Sequence, residues 1–225
     1  MTVEAMSSAA LLVGAYDSGP YATRGSATSI GMVTTVAVGT ERAVRSTSGY
    51  LTVSGVPSLS GDDFTVEAWI RVSKGGRARP VWSRLNGETE LSLTVLADGT
   101  PRFYASSAQG GYRLTLNGTN RLDDGLWHHI AVRAEYGWFG VITFSLWVDG
   151  VLSRPGTISP GLFAARPNFD MTTAIGVGGR DGATMNGDVL AVAWHTQPLA
   201  DGVLAARWGA RPGNTSSQVG WGIIL

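Results

Sequence analysis

Between Phe64 and Val72 the chain reads FTVEAWIRV, and this alternation constrains the fold more than any other stretch. Phe64, Val66, Ala68, Ile70 and Val72 fall on one face of an extended strand. Thr65, Glu67, Trp69 and Arg71 fall on the other. Wound into a helix, the same apolar positions would spread around the whole cylinder, so the alternation predicts a half-buried β-strand. It also predicts that truncating Val66 or Ile70 is costly and truncating Thr65 cheap. Two distant stretches are alike in kind, Asp124–Val132 (DGLWHHIAV) and Leu146–Gly150 (LWVDG). Each joins β-branched and aromatic residues and is bounded by turn formers. Asp149-Gly150 supplies the positive φ that a tight hairpin turn needs. A chain built this way folds as an antiparallel β-sandwich.

The same rhythm holds from Ala43 onward. Candidate strands are Tyr50–Val53, Phe64–Val72, Val81–Leu85, Leu91–Leu96, Arg102–Ser106, Tyr112–Leu116, Trp127–Tyr136, Val141–Val148, Thr172–Val177 and Val189–Thr196. Asp98-Gly99 reads as another hairpin turn, and Asp124-Gly125 introduces the Trp127 strand. Only Ala200–Trp208 reads as helix: behind Pro198-Leu199, Val203, Leu204 and Arg207 sit at helical spacing. Residues 1–42 hold one strand, Met32–Val38, and an arm that either joins the same domain or docks elsewhere. Residues 43–210 form the sandwich, and residues 211–225 form a tail ending in the apolar Trp221, Ile223, Ile224 and Leu225.

At 225 residues the chain suits one all-β domain, large enough to bury a core without covalent staples. Its 17 basic and 17 acidic residues cancel, which removes the electrostatic reason to expect nucleic acid or an anionic membrane. Cysteine is absent, so no disulfide fixes a compartment. The first residues carry Glu4 and no basic cluster, and Ser8–Ala15 is too short for a signal-peptide core. No stretch is long and apolar enough to predict a membrane-spanning helix. The expectation is a protein exported, if at all, without a cleaved signal.

In order along the chain stand Tyr50-Leu51-Thr52-Val53, Phe64-Thr65-Val66-Glu67-Ala68-Trp69-Ile70 and Trp127-His128-His129-Ile130-Ala131-Val132. Leu146-Trp147-Val148-Asp149-Gly150, Ile175-Gly176-Val177-Gly178-Gly179-Arg180 and Met185-Asn186-Gly187-Asp188 follow. This series resembles the laminin-G-like branch of the concanavalin A-like lectin superfamily, close to the pentraxin type, from about Ala43 to Trp208. The resemblance implies a jelly-roll β-sandwich, here with one short C-terminal helix, that acts by binding glycans, proteins or lipids. Related domains often hold calcium at one rim. The matching oxygen donors here are Asp181, Asn186 and Asp188, although two carboxylates between glycine turns are a sparse set for an ion that takes six to eight oxygens.

On several strands the tryptophan lies on the polar face. Trp69 shares its face with Glu67 and Arg71, Trp127 with His129 and Arg133, and Trp147 with Ser145 and Asp149. If these strands are neighbours, the sheet has an aliphatic inner face and an aromatic, charged outer one. Indoles stack on sugar C–H faces while charged groups bond hydroxyls, so Trp69, Trp127, Trp147, Glu67, Arg71, His129 and Arg133 are the candidate glycan contacts. The alternative is that the arm, loops or helix cover this face and make a second small core.

Other polar clusters favour structure over chemistry. His128 and His129 are adjacent on a strand, which predicts rings on opposite faces and no shared metal ion. His195 stands alone. A glycosidase needs paired carboxylates on one face; Glu67 and Glu135 are single on their strands, and Glu88 and Glu90 sit at an Asn86-Gly87 turn. No nucleophile elbow or phosphate-cradling glycine loop is present, so no enzyme is expected and no cofactor is required.

Trp138 and Phe139, bracketed by Gly137 and Gly140 at a hairpin tip, are candidate partner contacts together with Trp221, Ile223, Ile224 and Leu225. The expected function is therefore a lectin-like binding protein. Its best match is an accessory virion protein of a bacteriophage, a head-decoration or minor tail protein docked on other virion proteins or on copies of itself. It keeps a face for host glycans. The alternatives are a free carbohydrate-binding module, secreted by another route, and a cytoplasmic interaction domain.

Overall fold

A computed structural model describes residues 11–16, 19–22, 26–56, 62–160, 167–169, 174–180 and 182–212. The strands are β1 (Leu11–Tyr16), β2 (Gly19–Ala22), β3 (Ala27–Val38), β4 (Glu41–Val53), β5 (Phe64–Ser73), β6 (Arg79–Asn86), β7 (Thr89–Val95) and β8 (Pro101–Ser107). They continue with β9 (Tyr112–Asn117), β10 (Asp124–Tyr136), β11 (Ile142–Val148), β12 (Val151–Ile158), β13 (Ile175–Val177), β14 (Gly179–Arg180), β15 (Ala183–Thr184) and β16 (Gly187–His195). Helix α1 is Asp201–Gly209.

All the pairings are antiparallel, and one hydrogen-bonded path runs β12-β11-β10-β5-β16-β4-β13-β6-β7-β8-β9. The fold is an antiparallel jelly-roll β-sandwich, and β4 connects its layers. Val44–Ser46 of β4 pair with Gly187–Val189 of β16, whereas Leu51–Val53 pair with β13. The row predicted to face inward does so: Phe64, Val66, Ala68, Ile70 and Val72 all lie in the main core. They meet Trp82, Phe103, Phe144 and Trp194 there, with Trp82 edge-on to Trp194 at 5.4 Å between ring centres.

Asp149 and Gly150 both take positive φ, 53° and 78°, in the turn between β11 and β12. Gly150 is also fixed by packing, since a Cβ there would come within 2.9 Å of the Ala205 Cα on α1. Several elements differ from expectation, beginning with the arm: Leu11–Tyr16 is a strand that pairs with β16, and Gly19–Ala22 pairs back on it. The polar stretch before Tyr50 is already strand, so β4 begins at Glu41, and β3 begins at Ala27. β12 was not predicted, because Pro155 and Gly156 argue against a central strand; among the described residues β12 pairs only with β11, so proline is tolerated at that edge. Of Thr172–Val177, Ile175–Val177 form β13, and residues 172 and 173 lie outside the described residues.

Helix α1 starts with Asp201 and ends its last turn with Arg207, each matching the helix dipole. Leu204 is its buried anchor. Together with Leu199 it packs on Ala131 and Trp147 of the outer sheet face.

Candidate functional site

The outer face brings the predicted side chains together and then divides them between a covered part and an open part. Registers across β5, β10 and β16 place His129 beside Trp69, and Ala131 and Ala193 beside Glu67. Trp69 and Trp127 pack with Ala43, Leu190, Ala191 and Ala193 into a second core, with Val36, Val38 and Trp208 against it. Trp69, Glu67 and His129 are completely buried, and Trp127 and Trp147 are nearly so. This is the covered arrangement, so Trp69, Glu67 and His129 are corrected from surface contacts to structural ones. The physical reason is that indoles beside a short amphipathic helix lose more water by burial than an open face would allow.

Glu67 anchors the helix from below. Its Oε1 accepts from His195 Nε2 at 2.8 Å, and its Oε2 from His129 Nε2 at 2.9 Å and Arg207 Nε at 3.2 Å. Burial alone would raise the Glu67 pKa, but the hydrogen bonds from His129 and His195, with the Arg207 charge, hold it well below the usual carboxylate range. Arg133 ties down the segment leading into α1 by donating to the Leu199 carbonyl at 3.0 Å and to Asp201 at 2.6 Å. Arg133 also lies over the Trp147 ring at 5.5 Å, so neither side chain is free to meet a sugar. Thr65 is buried too, and its Oγ1 accepts the Leu199 N–H at 2.9 Å, which overturns the expectation that truncating it is cheap.

His128 does not diverge from His129 as strict alternation predicts. Its ring lies parallel to Trp208 at 6.4 Å, on the helix side, at the end of β10 where the register shifts. It bonds Asp149 at 2.8 Å and Asp124 at 3.0 Å, while His129 bonds Glu67, so the two rings serve separate carboxylates. Among the described residues no group of three His, Cys, Asp or Glu is arranged to hold a metal ion.

Beyond the helix the outer face opens. Arg45 of β4, Asp188 of β16, Arg71 of β5 and Trp127 of β10 form one row across four neighbouring strands. Asp188 Oδ1 accepts from Arg45 Nε at 2.7 Å, and Oδ2 accepts from Arg45 Nη2 at 3.0 Å and Arg71 Nη2 at 2.6 Å. Burial would raise the Asp188 pKa, but these bonds hold it below the usual range. Arg71 also covers the Trp127 ring at 4.9 Å. Arg45, Asp188 and Arg71 line a groove of about 370 Å³ with Thr47, Ser73, Gly125, Asn186 and Gly187.

The oxygen donors that the family resemblance offers for calcium are already engaged or lie elsewhere. Both Asp188 oxygens are occupied by guanidinium groups, so a second cation would meet repulsion, and Asp181 lies outside the described residues. Asn186 takes φ 49° at the groove wall and serves as a turn residue. Of the other acids considered, Glu90 is paired to Arg180 at 2.6 Å and Glu135 to Arg133 at 3.1 Å.

At the opposite end of the β10–β11 hairpin, Trp138 is 87% exposed and Phe139 68%. Phe139 takes φ 59°, an unfavourable value for a bulky side chain. Trp221, Ile223, Ile224 and Leu225 lie outside the described residues.

Residues 45–202 match a laminin-G family model described as the concanavalin A-like lectin/glucanases superfamily. No curated protein matches the chain in sequence. Similar solved structures include the receptor-binding domain of botulinum neurotoxin D, with TM-score 0.68 and 12% identity over 92% of this chain and 53% of that one. A botulinum neurotoxin type C structure has TM-score 0.68 and 11% identity over 93% of this chain and 53% of that one. The binding domain of botulinum neurotoxin DC has TM-score 0.67 and 10% identity over 92% of this chain and 52% of that one. The chain thus spans about half the length of these neighbours, and the likeness is one of fold.

Proposed function

From the premise that the chain belongs to the concanavalin A-like lectin/glucanase superfamily, we propose that it is a non-enzymatic, glycan-binding protein that uses the open groove around Arg45 and Arg71. The observation carrying this reading is the division of the outer face. The helix covers Trp69, Trp147 and the Glu67 cluster, while Thr47, Ser73, Asn186 and the two arginines are left to line an accessible polar recess. Hydroxyl, amide and guanidinium groups in a shallow recess are what sugar hydroxyls bond. Among the neighbours of like fold, the type C work concerns cell entry through two ganglioside molecules, and the DC domain was solved with SialylT. Among the described residues no pair of unengaged carboxylates faces the groove, which argues against glycoside hydrolysis. Titrating labelled protein with oligosaccharides should shift the amides of Thr47, Ser73 and Asn186. Shifts confined to other surfaces would refute this site.

A second reading concerns where the binding is used. The exposed Trp138-Phe139 tip favours a protein that docks on an assembly, and an accessory virion protein of a bacteriophage fits a cysteine-free domain of this kind. In that setting the tip anchors the domain to other virion proteins or to copies of itself, and the groove faces a host glycan. The two surfaces lie on different parts of the molecule, so both contacts are sterically compatible.

A further inference from the structure

We infer that the groove selects an acidic saccharide, one whose carboxylate or sulfate is received by Arg45 and Arg71. This rests on the glycan reading above and names the ligand class for the same site.

The charges in the row do not balance. Two guanidinium groups share one carboxylate, Asp188, which among the described residues leaves one positive charge in excess. Asp124, next in sequence to the lining Gly125, is engaged by the Leu126 N–H at 2.8 Å and by His128 at 3.0 Å. Among the described residues no other acidic side chain lines the groove.

Exposure is asymmetric in the same sense. The Asp188 side chain is 5% exposed, Arg71 33% and Arg45 46%, so an incoming group meets guanidinium before carboxylate. A guanidinium carries five N–H donors, and each arginine gives two nitrogens to Asp188. The remaining donors sit in a planar fork suited to a carboxylate or sulfate. Both forks are held in advance: Asp188 pins them from below, and the Trp127 ring backs Arg71. A ligand therefore binds without the cost of ordering two long side chains.

The groove also lacks what a neutral sugar would use. Trp127 is its adjoining aromatic residue, and Arg71 occupies the ring face. With no indole open for stacking, affinity must come from charge-assisted bonds to the arginines, with Thr47, Ser73 and Asn186 left for ring hydroxyls.

The test uses matched pairs: a uronic-acid, a sialylated and a sulfated oligosaccharide, each beside its neutral twin (carboxyl-reduced or desulfated). The acidic member of at least one pair should bind roughly tenfold or more tighter, the size of one charge-assisted hydrogen bond. It should shift the Thr47, Ser73 and Asn186 amides, and its affinity should fall as salt is raised. Arg45→Gln, at a half-exposed residue, should remove most of the preference and leave the melting temperature near that of the parent. Neutral twins binding equally at the same amides would overturn the acidic selection and leave glycan binding standing. Acid binding that neither weakens with salt nor changes in Arg45→Gln would remove the arginines from the site. If no member of any pair shifts the groove amides, both this inference and the glycan reading fall.

Discussion

The indole of Trp208 lies parallel to that of Trp69, with ring centres 6.1 Å apart and planes 13° apart. Together with the Arg207–Glu67 bond, this contact joins the C-terminal helix to β5 of the covered face. Trp208→Ala should cost roughly 1–3 kcal/mol, less than the 3–5 typical of a fully buried tryptophan, because Trp208 keeps some exposure. Acrylamide should then quench Trp69 in the folded variant. Unchanged stability with unchanged quenching would mean that the helix is not the lid.

The opposite faces of β5 should respond in different currencies. Ile70→Ala and Val66→Ala remove fully buried aliphatic groups and should each cost about 1–4 kcal/mol in urea unfolding. Thr65→Ala should cost about 1–3 kcal/mol by orphaning the buried Leu199 N–H. Thr65→Ser keeps the acceptor and should recover most of that loss; no recovery would show that packing of the methyl group matters instead.

The side on which each β5 residue points was legible from alternation alone, and Trp69 lies where that reading put it. What covers Trp69 was not legible. The spacing of Val203, Leu204 and Arg207 says that a helix forms, but not which distant surface receives Trp208. The Arg45–Asp188–Arg71 row was hidden for a different reason. Counting by twos back from the inward-facing Val192 puts Asp188 in the core, and only the bulge between Val189 and Ala191 turns it outward. Nothing in the one-dimensional pattern marks that bulge. Arg71 was therefore assigned to a sugar face correctly placed but wrongly bounded, and Arg45 was not assigned at all.

His128 gives stability a pH dependence of known sign. Burial would lower its pKa, but hydrogen bonds to the Asp149 and Asp124 carboxylates raise it above the ordinary histidine value. The folded state thus binds its proton more tightly than the unfolded state. The stabilisation is fully present below an unfolded pKa of about 6.5 and is lost as the pH rises through the folded value. Urea midpoints should decline over that rise in the parent protein and show less decline in His128→Gln. An identical decline in both would assign it to another group.

Glu67 acts at the other end of the scale. Its folded pKa is depressed, so its contribution is present above the unfolded value of about 4.3 and is lost as pH falls toward the folded one. Glu67→Ala leaves Arg207, His129 and His195 without their shared acceptor and should cost about 3–5 kcal/mol near neutral pH. The difference between variant and parent should shrink on acidification. A difference that stays constant down to acid unfolding would show that shape, not charge, is what Glu67 provides.

Trp138 separates stability from assembly. At 87% exposure it contributes almost no buried area to the isolated domain, so Trp138→Ala should leave the melting temperature nearly unchanged. The neighbouring Phe139 has positive φ, a value that local sterics do not favour, and is 68% exposed. If those rings anchor a partner, truncation should weaken that contact by about 2 kcal/mol or more, a loss of roughly thirtyfold. Sedimentation with proteins encoded beside this one, and of the chain alone across concentration, would measure both hetero- and self-association. Should Trp138→Ala unfold the isolated domain while the surviving fraction still assembles normally, the tip belongs to the fold and the docking surface lies elsewhere.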